Sequence, residues 1–112
     1  MAYDDDLAER IRETLASQVD VAEKRMFGGL AFLLGGHIAV AAGSQGGLML
    51  RVDPARSEEL AERDGASRMV MRGREMTGWL RVAATALEDD DDLRDWVRHG
   101  VEFVRTLPPK RP

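Results

Sequence analysis

The chain contains no cysteine and only two histidines. Without a thiol there can be no disulfide, thiolate metal site or cysteine nucleophile. His37 and His99 lie far apart, in no H-x-x-x-H or H-E-x-x-H spacing, and read as a hairpin-edge imidazole and a surface helix imidazole. No metal is expected. An excess of positive charge is also missing, since 16 basic residues face 20 acidic ones for a net charge of −4. Duplex DNA binders usually carry a basic excess, because neutralising phosphates supplies most of their non-specific affinity. Autonomous nucleic-acid binding is therefore not expected. No apolar run approaches the roughly 20 residues that span a bilayer. The opening MAYDDDLAER has neither the basic nor the apolar region of a secretory signal, so the expected location is the cytoplasm, with no membrane partner.

Catalytic motifs are missing as well. The glycine pairs in MFGGLAF and LLGGHIAV fit neither a P-loop nor a dinucleotide fingerprint. The acidic run Glu88 to Asp92 lacks the alternating oxygen ligands and central glycine of a calcium loop. Ser17, Ser44, Ser57 and Ser67 have no G-x-S-x-G setting or evident base partner. Neither an enzyme nor a cofactor is expected.

What is present is enough for one core. At 112 residues the chain is the size of a single domain, burying roughly 65% of its unfolded surface. Hydrophobic residues at 44% and charged residues at 32% describe a globular protein rather than a disordered one. We place that domain at 1–107 and read 108–112, PPKRP, as a short flexible tail.

The organising stretch is Lys24 to Val52, which holds seven of the eleven glycines. Gly28-Gly29 permits a bend into the sheet, and Gly35-Gly36 is a two-residue hairpin signal. Strands are predicted over Leu30 to Leu34, His37 to Ala42 and Leu48 to Val52, with VDVAEK before them as a connection. The small Ala39, Ala41 and Ala42 imply that something packs close against that sheet. A second strand pair is predicted over 67–73 and 77–83, each strand with one core face and one mixed face.

Helices bracket these strands. Leu7, Ile11 and Leu15 recur at four-residue spacing behind a possible cap among Asp4, Asp5 and Asp6. Asp53-Pro54 opens a short surface helix ended by Gly65. Leu93, Trp96, Val97, Val101 and Val104 form the apolar stripe of the last helix, capped by Asp91 or Asp92. The fold class is α+β: two layers in the order helix, three strands, helix, two strands, helix, with an antiparallel sheet packed by helices.

The residues best suited to binding are Arg25, Arg51, Arg72 and Arg74, whose forked donors match carboxylate or phosphate if they converge on one sheet face. Ordinary surface pairing with the many acids is the alternative. Trp79, beside Arg81, is a further candidate as a protein-interaction anchor. A strand edge, or the apolar and methionine-bearing face of the second strand pair, offers a surface for self-association into a homodimer.

The run KRMFGGLAFLLGG, then LMLRV, REMTGWLRV, DWV and TLPPK, in this order and spacing, resembles the TfoX/Sxy N-terminal domain family from about Leu7 to Lys110. The resemblance implies the same two-layer α+β order. It is to a regulator of natural competence thought to act with the cyclic-AMP receptor protein at particular promoters, so a protein partner, such as a transcription regulator, is implied. In the full-length regulators a second, C-terminal domain follows; a stand-alone N-terminal domain is expected here. The family implies no catalytic residue set.

Overall fold

The structure, a computed structural model, describes residues 4–26, 28–44 and 46–110. Phe27 of the glycine-flanked bend and Arg111 and Pro112 of the expected tail lie outside them, as does the side chain of Met71. The elements are α1 (Asp5–Thr14), β1 (Val21–Met26), β2 (Gly29–Leu34), β3 (His37–Ala42), β4 (Leu48–Arg51), a 3-10 turn (Pro54–Arg56) running into α2 (Ser57–Ala61), β5 (Ala66–Met71), β6 (Arg74–Val82), a second 3-10 turn (Ala84–Leu87) and α3 (Asp90–Val104).

Helix α1 starts where its sequence satisfies the free first-turn amides: Asp4 Oδ1 accepts from the amides of Asp6 and Leu7 at 2.9 and 3.2 Å. Leu7, Ile11 and Leu15 are all buried, each such side chain contributing roughly 1.5–3 kcal/mol. Asp89, not Asp91 or Asp92, caps α3, accepting from the Asp91 amide at 2.8 Å. The helix therefore begins one turn earlier than its apolar stripe shows, because the first aspartate of the run already caps it.

One six-stranded antiparallel sheet, in the order β1-β2-β3-β4-β6-β5, forms the second layer. The predicted α+β layers and the alternation of helices with groups of strands hold. A fourth strand precedes the second helix, however. VAEKRM pairs with β2 from Val21 opposite Leu34 to Met26 opposite Gly29, where the sequence suggested only a connection. As an edge strand exposed along nearly its whole length, β1 needs no apolar alternation, which is why pattern reading passes over it. It is tied to α1 by Arg12, whose Nε and Nη2 donate to the two oxygens of Glu23 at 2.6 and 2.8 Å. This hydrogen bonding holds the Glu23 carboxyl below its usual range.

The core lies between the helices and one sheet face. Leu30, Phe32 and Leu34 of β2, Val40 of β3, Leu48 and Leu50 of β4 and Leu80 and Val82 of β6 meet Ile11, Leu60, Leu93, Trp96, Val97 and Val104. Helix α3 crosses β3 and β4 closely. A Cβ on Gly100 would stand 2.7 Å from the Ala39 carbonyl oxygen, which is why α3 carries glycine where it crosses β3.

Residues 108–110 lie against the β2–β3 turn. The Lys110 amide donates to the Gly35 carbonyl at 2.8 Å, and His37 Nε2 donates to the Pro108 carbonyl at 2.7 Å. The β2–β3 turn can receive them because Gly35 and Gly36 carry no side chain where Pro109 and Lys110 pass.

Candidate functional site

All three helices lie on one face of the sheet, and among the described residues no element covers the other. That second face is concave. Every strand sends a side chain into one cavity of about 290 Å³: Met26 from β1, Ala31 from β2, Ala41 from β3, Met49 from β4, Met69 from β5 and Met76 from β6. Met26 and Met69 belong to the two edge strands, so their meeting shows how strongly the sheet curls. Twist alone turns neighbouring strands by about 20–25°. Register shifts at Phe32/Leu33 and Arg68/Val70 add local bends. Met69 is buried in this cavity, because Arg68 opposite Leu80 takes the helix-facing position.

Four of the six methionines line the cavity, and a methionine-rich wall adapts to more than one shape of occupant. Its polar contribution is small. Arg81, opposite Met49 on β4 and Ser67 on β5, is the only charged residue in the lining among the described residues, and the half-buried Trp79 stands near it.

The arginines singled out in the sequence are not all brought together. Arg25 faces Leu30 in the β1–β2 register and so belongs to the helix side, the opposite side from Met26. Arg72 and Arg74 belong to the exposed β5–β6 hairpin at the other edge of the sheet, with Arg72 in the left-handed region at φ 53°. Arg51 pairs in register with Trp79. Its guanidinium carbon is 5.8 Å from the Trp79 ring centre and 5.4 Å from that of Phe103 on α3, within cation–π range. Among the described residues none of Arg25, Arg51, Arg72, Arg74 and Arg81 has a carboxylate within 4.0 Å. By contrast Arg68 is engaged by both Glu58 and Glu75, at 3.3 and 3.0 Å. Trp79 and Arg51 thus form an aromatic and cationic pair at the end of the uncovered face.

With this geometry in place, the comparison with known families is decisive: the chain matches the model of the TfoX N-terminal domain over residues 13–104. It belongs to the TfoX N-terminal domain family. No curated protein and no solved structure gives a significant match. In this TfoX N-terminal domain the matched span runs from the end of α1 to the end of α3, so it contains the whole sheet and every cavity residue.

A second polar cluster joins α2's exit to α3, and sequence spacing gave no sign of it. Arg63 Nη2 is 2.9 Å from Asp95 Oδ2, its guanidinium lies 4.4 Å from the Trp96 ring centre, and Arg98 donates to Asp95. Burial works against the Asp95 carboxylate, but hydrogen bonds from Arg98 and Arg63 prevail and hold it below the usual carboxylate range. His99, expected as a surface imidazole, is half-buried here, with Nε2 accepting from Arg63 at 3.3 Å. Burial pushes its pKa below the ordinary histidine value; Asp95 offsets part of this, and Arg56, Arg63 and Arg98 add to it. Among the described residues no group of three or more His, Asp or Glu is arranged to hold a metal. The cluster reads as a staple between elements.

A pH dependence follows from His99. The unfolded imidazole titrates near 6.5 and the folded one lower, so between those values the unfolded chain binds more protons. His99 therefore favours the folded state fully above about pH 6.5 and loses that advantage as the pH falls through the folded value. Thermal midpoints measured from pH 7.5 to 5 are expected to decline, and His99→Gln to flatten that decline. An unchanged slope in His99→Gln would remove His99 from the account.

Proposed function

We propose that this TfoX N-terminal domain is a non-enzymatic, cytoplasmic regulatory module that acts through a protein partner, a transcription regulator, rather than by reading DNA itself. The observation that carries the reading is the Trp79–Arg51 pair at the end of an uncovered sheet face in a member of this family. Tryptophan and arginine are the side chains that most often dominate binding energy at protein interfaces. Arg51 is already oriented by two rings, so little side-chain freedom is lost when a partner meets it. The net charge of −4 supports reliance on a partner, since it repels the phosphate backbone at long range. No helix among the described residues is long and apolar enough to cross a membrane.

The test titrates the purified domain into the cyclic-AMP receptor protein of the same cell, with and without promoter DNA. A saturable complex is expected, weakened roughly tenfold or more by Arg51→Glu, as loss of an anchor residue costs about 1.4 kcal/mol or above. Tight binding of the isolated domain to duplex DNA, with a steep salt dependence, would contradict the reading.

A further inference from the structure

We infer that the cavity on the helix-free face is a binding site for a small amphipathic monocarboxylate, its acyl chain among the methionines and its carboxylate on Arg81. The site does not depend on the protein-partner reading, because it is complete within one chain.

The lining sets the chemistry of the occupant. Met26, Met49, Met69 and Met76 present flexible thioether chains, and the small Ala31 and Ala41 leave room beneath them. Such walls favour a conformationally free alkyl chain over a rigid polar ring. A cavity of about 290 Å³ holds roughly ten water-sized volumes at about 30 Å³ each, which suits a chain of about eight to ten carbons.

Charge sets the head group. Among the described residues Arg81 alone in the lining is charged, and no acid joins it there. A cationic ligand would find no counter-charge. Arg81 also lacks an internal partner: among the described residues no carboxylate lies within 4.0 Å of it, while Glu58 and Glu75 are both engaged by Arg68 on the next strand. One guanidinium fork matches one carboxylate, which can accept two parallel hydrogen bonds from it. The register holds Arg81 between Met49 and Ser67 on the two flanking strands, so the charge stands beside the apolar wall, as an amphipathic acid requires.

The experiment uses the purified domain alone, with octanoate, 1-octanol and octylammonium below their aggregation concentrations, read by calorimetric titration and thermal unfolding. Octanoate is expected to bind saturably and to raise the midpoint with concentration, since a ligand of the folded state stabilises by mass action. Octanol should bind roughly tenfold more weakly or worse for want of the charged hydrogen bonds, and octylammonium should give no shift. Arg81→Gln should lower octanoate affinity by about tenfold or more while leaving octanol unchanged. Met49→Trp should abolish binding of both by filling the cavity; if that variant does not fold, Ala41→Met serves instead. Equal affinities for the three probes, no saturable octanoate binding, or an unaffected Arg81→Gln would each overturn the inference. So would a concentration-dependent dimer that Met49→Trp turns into monomer, because a second copy would then be the occupant.

Discussion

Replacing Gly29 by alanine is expected to lower stability by about 3 kcal/mol, or roughly 10 °C in thermal midpoint, more than any comparably small change elsewhere in the sheet. Gly29 opens β2, and a Cβ built on it would stand against the carbonyl oxygen of Ala42, well inside normal contact. The obstacle is backbone in a central strand, hydrogen-bonded on both sides, so it cannot swing away as a side-chain tip would. Relief requires β2 and β3 to separate at that end, which disturbs Leu30 opposite Ala42 and the core beneath them. Gly46 provides the comparison. Its added Cβ would meet nothing within 4 Å, but its φ of +80° would strain any L side chain. Gly46→Ala should then cost only about 1–2 kcal/mol, the usual penalty for a left-handed residue. Circular dichroism melts of the two variants decide the matter: a Gly29→Ala loss no larger than that of Gly46→Ala would refute the steric account. Because Gly29 also lines the cavity, the variant that survives should bind octanoate less well.

Much of the fold is written in local pattern, and the exceptions have physical causes. The stripe Leu7, Ile11, Leu15 and the hairpin at Gly35-Gly36 stand where periodicity and turn chemistry put them, with φ of 58° and 84° at the two glycines. Asp53 caps the Pro54 turn through its Oδ1 bond from the Ala55 amide, as the Asp-Pro pair implies. Strand β1 carries no hydrophobic signature, because it is an edge exposed along nearly its whole length. The docking of residues 108–110 on Gly35 and His37 joins positions more than 70 apart, which no window of sequence connects.

The candidate site was legible in part for a related reason. Alternation in β6 separates Leu80 and Val82 from Trp79 and Arg81, which sets Trp79 apart from the core. What alternation cannot report is which face the helices choose, or that the sheet curls until Met26 and Met69 share a cavity. Nor can it show that Arg25 faces away from Met26 while Arg51 lies against two rings. Type and spacing made the arginines plausible ligands; the handedness and bend of the sheet decided which of them could meet.

Gly100→Ala is the second large effect expected, and its sign runs against the usual rule. In an exposed helix interior the change would stabilise by about 1 kcal/mol, because alanine is the better helix former. Gly100 is buried in α3, and its Cβ would stand 2.7 Å from the Ala39 carbonyl oxygen and 3.1 Å from Val40 Cγ1. Helix and strand must move apart, which loosens Val97 and Val104 on either side and costs about 2–3 kcal/mol, so a net loss of roughly 1–2 kcal/mol remains. The double variant Gly100→Ala with Ala39→Gly should give no rescue, since the obstructing atom belongs to the backbone that both versions of β3 share. Val40→Ala should relieve only the lesser contact. The displacement should also be felt at the proposed partner surface: α3 carries Phe103, one of the two rings that orient Arg51, so a shifted helix frees that guanidinium. Partner affinity should consequently fall in Gly100→Ala even where enough folded protein remains to measure it. Denaturant unfolding combined with the partner titration separates the two effects, and a rise in the thermal midpoint of Gly100→Ala would show that the close crossing of α3 over β3 does not constrain this fold.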